Sequence, residues 1–253
     1  MSRKKKILTN GKFCLLSCHE CYAHTKVLKF AGRKEYYKNK LREMTGMFNV
    51  KVIDYFIAED RVLLLTSPES GEIFTNALRW LHGAISCNYN QRTNHCGVCW
   101  KPRYDISIVQ NGTCMKSILP NISANVMNLN LAEHSAEYKY TGYKELAGIA
   151  KRYKIINQSN LVNAAGFDSF SEFSEWYIAA IEETIRNKHL HVDIIKNIFA
   201  YGNKNFIGSI AKIMPNSWYS IQKTDNKAYQ NNQNILTVRM SKKRKRELLK
   251  MVL

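Results

Sequence analysis

The sequence predicts an α+β fold: a ferredoxin-like antiparallel sheet, then an all-helical domain and a basic tail. Three observations predict it. Short β-branched and apolar runs alternate with stretches of helical period in the order β-α-β-β-α-β over the first half. Apolar residues from 147 to 214 recur at helical rather than strand spacing. Beyond 215 the chain turns polar, rich in Asn and Gln, and closes on a run of cations. The expected units are therefore 1–146, 147–214 and 215–253.

Residues 13–19 (Phe-Cys-Leu-Leu-Ser-Cys-His) are short and apolar, as a buried strand is. Residues 31–47 place Tyr36, Tyr37, Leu41, Met44 and Met47 at helical spacing, with Lys and Arg on the other face. Val50 to Ala58 and Arg61 to Thr66 are β-branched, aromatic and aliphatic, and Glu59-Asp60 between them is a polar turn, which makes a hairpin. Pro68 and Gly71 break the chain before an amphipathic helix from Ile73 to Asn88, whose Phe74, Leu78, Leu81 and Ile85 share a face. Residues 89–103 are irregular. Tyr104 to Val109 alternates like a strand, and Thr113 to Leu131 is a helix in which Pro120 limits the start or sets a kink.

In the second half Asp168 and Ser169 are both cap candidates for a helix carrying Phe173, Trp176, Ile178 and Ile181. Another helix is expected from Val192 to Tyr201, ended by Gly202. Phe206, Ile207, Ile210 and Ile213 form a small apolar face over 203–213.

The charge balance is unusual. The 253 residues carry 38 Lys and Arg against 20 Asp and Glu, a formal net charge of +18. A surplus this large marks a polyanionic partner, nucleic acid first and an anionic membrane second. No apolar run approaches the ~18 residues that span a bilayer, and no sustained apolar stretch follows the basic start, so no membrane association and a cytoplasmic, nucleoid-associated location are expected. Basic clusters stand at both ends, Arg3-Lys4-Lys5-Lys6 and Lys242-Lys243-Arg244-Lys245-Arg246. They suit phosphate contact, although a run of this kind is also what a solvated tail looks like. The segment from Arg92 to Tyr104 mixes cations with aromatics (Arg92, His95, Trp100, Lys101 and Arg103), a pattern suited to phosphates and unpaired bases; burial of Trp100 and Tyr104 as core anchors is the competing reading.

Seven cysteines without a secretory signal are expected as thiols. Cys18/Cys21 and Cys96/Cys99 form two C-x-x-C pairs, the raw material of a four-thiolate zinc site, but the pairs lie much farther apart than such sites usually allow, and Cys18 falls within a strand. His189 and His191 make an H-x-H at a helix boundary, away from the expected sheet. No Walker loop, G-x-G-x-x-G or G-x-S-x-G is present. No metal and no cofactor are assigned.

Several stretches resemble one family, the REP-associated tyrosine transposases of the HUH single-tyrosine group. Tyr89-Asn-Gln-Arg followed by Gly97, Trp100 and Arg103-Tyr104 resembles its Y-N-Q-R…G…W…R-Y segment, and Thr141-Gly-Tyr-Lys-Glu-Leu its S-G-Y-x-E-[IL]. Lys151 to Ile156, Leu161…Gly166 to Phe173 and Ala200 to Ile207 resemble later elements of the longer members. The resemblance covers roughly residues 13–214 and implies an HUH-like sheet with a DNA-binding surface that recognises imperfect hairpins, in a monomer or homodimer.

The family's chemistry uses two histidines on one strand face to hold a divalent metal and a tyrosine on a following helix to attack the phosphate. Here Asp54 to Leu65 aligns with the family's N-Y-V-V-x-x-N-H-V-H-L-L, which puts Arg61 and Leu63 at the histidine positions; Asn121 to Met127 aligns with its Y-I-x-x-N-x-V, which puts Asn121 at the nucleophile. Arginine stays protonated, leucine has no donor atom and an amide is no nucleophile. Tyr89 matches a non-catalytic position. The resulting expectation is a catalytically inactive, domesticated transposase-like DNA-binding protein that takes a hairpin or duplex site and regulates transcription, with RNA polymerase or another regulator as a protein partner. Arg61 would grip a phosphate where the metal once stood. An active or remodelled nuclease with a different metal site, and an RNA-binding module, are the alternatives.

Overall fold

The structure is a computed structural model that describes residues 12–21, 26–101, 104–186, 198–212, 219–223 and 236–240. Its first half follows the predicted order: β1 (Phe13–His19), α1 (Ala31–Phe48), β2 (Lys51–Ile57), β3 (Arg61–Ser67), α2 (Gly71–Thr93), β4 (Asp105–Val109) and α3 (Thr113–Asn128). These four strands run in the spatial order β2-β3-β1-β4, every pairing antiparallel, which is the ferredoxin-like arrangement. The β2–β3 hairpin closes at Glu59-Asp60, where the Ala58 amide donates to the Arg61 carbonyl.

The interior of each of β1, β2 and β3 is buried on both faces. Alternation assigns the faces. Leu16, Cys18, Val62, Leu64 and Tyr55 point one way, towards α1 and α2, with Tyr37 of α1 beside Cys18. Leu15, Ser17, His19, Arg61, Leu63, Leu65, Asp54 and Phe56 point the other way, towards α3. Helices thus cover both faces of the sheet.

Helix α2 is longer than its periodicity suggested. Ser70 caps its start by accepting from the Ile73 amide, and the apolar face continues through buried Tyr89, so the helix runs into the stretch expected to be irregular. It stops where Asn94 turns left-handed at φ 50°. Helix α3 continues through Pro120 without a break.

Four helices follow: α4 (Tyr143–Leu146), α5 (Gln158–Ala165), α6 (Phe170–Arg186) and, farther on, α7 (Lys204–Lys212). Ser169 caps α6 by accepting from the Glu172 amide, and the Glu172 carboxylate accepts from the Asp168 amide in return, so the cap is Ser169. Leu161, Phe173, Tyr177 and Ile181 belong to the same continuous core as the sheet, with α6 packed on α3 and α5 on β2, so the core runs unbroken across the expected boundary at 146/147. The Tyr177 hydroxyl reaches Ser123 of α3 at 2.6 Å.

The expected helix over Val192–Tyr201 is corrected at its described end: Ile198–Gly202 is strand β5, parallel to β4. β4 would otherwise present an unpaired row of backbone groups, and β5 satisfies that edge. Gly202 is required by close approach, since a Cβ there would run into Phe206 and Gln110. The polar tail also holds structure. Tyr219–Lys223 (β6) and Leu236–Met240 (β7) extend the sheet to the order β2-β3-β1-β4-β5-β7-β6. Among the described residues no helix is long and apolar enough to cross a membrane.

Candidate nucleic-acid interface

Arg61 opens β3 directly opposite His19 of β1. Its guanidinium is gripped by the neighbouring Asp60, with Nε at 3.1 Å from Oδ1 and Nη2 at 2.9 Å from Oδ2, and its side chain is 22% exposed. The His19 imidazole meets the Ser17 hydroxyl at 3.0 Å on the same face. Burial lowers the His19 pKa from its ordinary value, and the cations Arg61 and Lys101 push it further down against the pull of Asp60 and Asp105. Burial opposes ionisation of Asp60, but the hydrogen bonds and charge of Arg61 outweigh it and hold that carboxyl below its usual range. The mouth of this face therefore carries a fixed, oriented guanidinium beside a neutral imidazole, with exposed Lys101 joined by its amide to the His19 carbonyl.

Two residues inward, Leu63 lies opposite Ser17 on one side and Phe56 on the other and is 4% exposed. It seals the face with hydrocarbon. Asn121 is buried on α3, the helix that covers the same face. Its side-chain amide donates to the Ser117 carbonyl at 2.6 Å. One residue earlier Pro120 lacks the backbone donor that would meet the Lys116 carbonyl, and the Asn121 side chain goes to the next carbonyl along, that of Ser117. Asn125 does the same for the carbonyls of Asn121 and Ile122. The amide at the alignment's nucleophile position is thus turned back onto its own helix.

The aromatic segment after α2 divides. Trp100 is 6% exposed, stacked on His82 at 4.7 Å and edge-on to Tyr37 at 5.9 Å. It is a core anchor, which corrects its assignment as a base-stacking contact: an apolar ring buried against two others has no face left for a base. Tyr104 also packs against the core. Arg92 and Lys101 are exposed, and half-buried His95 is held by Asn90 at 3.0 Å. Arg33 lies over the Tyr89 ring at 4.8 Å, so this buried tyrosine is a packing partner. Arg3, Lys4, Lys5, Lys6, Arg103 and Lys242 to Arg246 lie outside the described residues, as do His189 and His191.

The fold brings the two cysteine pairs alongside each other, with the Cys21 amide donating to the Cys99 carbonyl at 2.8 Å, but it does not converge their thiols on one point. Cys18 is buried towards α1, with its thiol raised by burial far above the ordinary range; Cys99 is buried against Asn90; Cys96 is exposed. Among the described residues no three His, Cys, Asp or Glu side chains are grouped to hold a metal ion.

The chain matches no family model and no curated protein. Its fold resembles a solved REP-associated tyrosine transposase bound to a REP hairpin. The two share 8% sequence identity at a TM-score of 0.46, over 58% of this chain and 89% of that one.

A cluster the sequence did not reveal lies at the other side of the sheet. Lys38 and Arg42 of α1, Lys139, Lys144, Arg152 and Tyr153 line one cavity. The sequence offered the basic outer face of residues 31–47 and two family-like stretches, 141–146 and 151–156, but nothing that joined them into one site.

Proposed function

We propose that this protein binds DNA without cutting it and acts by occupying a hairpin or duplex site, as a transcriptional regulator does. The observation that carries this reading is the face on which Arg61 and Leu63 stand. A guanidinium pinned by Asp60, a leucine sealed between Ser17 and Phe56, and an amide engaged with the Ser117 carbonyl stand at the positions that the sequence alignment matches to two metal ligands and a nucleophile of the resembled family. Arginine and leucine at the two histidine positions cannot ligate a metal, and an amide at the tyrosine position cannot attack phosphorus. A guanidinium held in place is instead suited to a phosphate oxygen, because charge-assisted hydrogen bonds are strong and little entropy remains to be lost. The net charge of +18 supplies the wider attraction.

The test is incubation of the protein with labelled hairpin and single-stranded DNA, with Mg²⁺ or Mn²⁺ and without. Binding without strand cleavage is expected, falling with salt at a slope near −0.9 per neutralised phosphate on duplex DNA. Arg61→Ala should lower that slope by about one phosphate. A covalent protein–DNA adduct or a cut strand would establish the remodelled-nuclease alternative, and a flat salt dependence would remove the electrostatic argument.

A further inference from the structure

The cavity between α1 and the chain from Lys139 to Tyr153 has a volume of about 380 Å³, within the range of small-molecule sites. Five cations line it, Lys38, Arg42, Lys139, Lys144 and Arg152, against two carboxylates, Glu35 and Glu145. The carboxylates do not neutralise it. Glu145 is held facing its own segment: its Oε2 accepts from the amides of Ile155 and Ile156 at 2.7 and 2.9 Å, and its Oε1 from the Tyr55 hydroxyl at 3.0 Å. Glu35 meets only Lys139, at 3.9 Å. Among the described residues Lys144 and Arg152 have no acidic partner. Five cations against two carboxylates leave the cavity positive, as it is where an anion is to be received.

The second observation is Tyr153. It stands at the rim with 75% of its surface exposed and its backbone left-handed at φ 57°. A tyrosine rarely adopts that conformation, and core burial does not hold it there. Its ring lies under the Arg42 guanidinium at 5.1 Å. The two bonds from Glu145 to Ile155 and Ile156 pin the loop just beyond it, so the ring is presented by a fixed segment. A cationic cavity with an aromatic plate at its edge has the two elements that recognise a nucleotide: cations for the phosphate and a π-face for the base.

We infer that this cavity binds a single nucleotide, with the phosphate among Arg42, Lys144 and Arg152 and the base stacked on Tyr153. Tyr55 and α1 lie on the face opposite Arg61, so this site is separate from the proposed phosphate grip and neither requires the other. The nucleotide has two sources, a free mononucleotide or one unpaired nucleotide of a bound strand.

The experiment titrates the full chain, as wild type, Arg152→Ala and Tyr153→Ala, with each deoxynucleoside monophosphate, with deoxyadenosine, with inorganic phosphate and with a short single-stranded oligonucleotide, by calorimetry. Both substituted residues are exposed, so folding is preserved, and circular dichroism verifies it. Saturable binding that Tyr153→Ala weakens about tenfold and Arg152→Ala also weakens is the expected result. Response to monophosphates identifies a free nucleotide as the ligand, whereas response to the oligonucleotide alone identifies an unpaired nucleotide of a strand. Binding that neither substitution changes, no binding of any nucleotide, or inorganic phosphate matching the monophosphates with Tyr153→Ala silent would overturn the assignment.

Discussion

Replacing Phe173 with alanine tests whether the helices after residue 146 fold with the sheet or apart from it. Phe173 is fully buried, with Phe167, Trp176 and Tyr177 centred 5.6, 5.8 and 5.8 Å from its ring. Truncating such a side chain costs about 3–5 kcal/mol, the sum of lost transfer energy and the cavity left behind. For a chain of this size each kcal/mol moves the melting temperature by about 2–4 °C, so a fall on the order of 6–20 °C is expected. The loss should be felt everywhere at once, because Tyr177, one turn on, bonds to Ser123 of the helix that covers the sheet, and both residues lie within one core. Urea unfolding followed by far-ultraviolet circular dichroism and by tryptophan fluorescence reads this directly, since Trp80 and Trp100 report on the sheet side and Trp176 on α6. Wild type and variant should each give one transition, coincident by both probes. Two transitions, with the sheet keeping the wild-type midpoint, would refute the reasoning, as would a loss below about 1 kcal/mol, the size of an ordinary surface change.

Two further outcomes follow from the titrating groups. Asp54 is fully buried; its Oδ1 accepts from the Tyr55 amide at 2.7 Å while Oδ2 has no partner among the described residues, and burial, aided by the charge of Glu145, raises its pKa well above the ordinary value. A carboxyl whose folded pKa lies above its unfolded one contributes stability in acid that is lost as pH rises towards the folded value. Asp54→Asn should therefore flatten the decline in melting temperature from acid to mildly alkaline pH and gain about 1–3 kcal/mol at the alkaline end; an unchanged pH profile would contradict the buried, protonated state. His19 offers the opposite sign. Its pKa is depressed by burial and then by Arg61, so the stability gained by keeping the imidazole neutral is present above the ordinary histidine value and lost as pH falls through the depressed one. Arg61→Ala should raise the His19 pKa in a proton NMR titration, and no movement would separate the two side chains.

Much of the architecture was readable because it rests on local pattern. The runs at 13–19, 50–58 and 61–66 and the helical spacing of 31–47 depend on which residues alternate, and those elements stand where the pattern put them. Non-local geometry escaped. Ile198–Gly202 became a strand because β4 had an open edge, a demand that arises only when β4 is already in a sheet. Trp100 could be read as a base-stacking contact until His82 and Tyr37, both distant in sequence, closed over it.

The candidate site divides the same way. The sequence alone determined that cations outnumber acids nearly two to one and that arginine, leucine and asparagine stand at positions 61, 63 and 121, because composition and identity need no fold. Only the tertiary structure decided what those residues do. It set Arg61 against Asp60 and opposite His19, buried Leu63 between two strands, and turned Asn121 onto its own helix beside Pro120. It also gathered Lys38 and Arg42 with Lys144, Arg152 and Tyr153 around one cavity. Coulombic and packing interactions depend on distance in space, and residues a hundred positions apart acquire that distance only when the chain has folded.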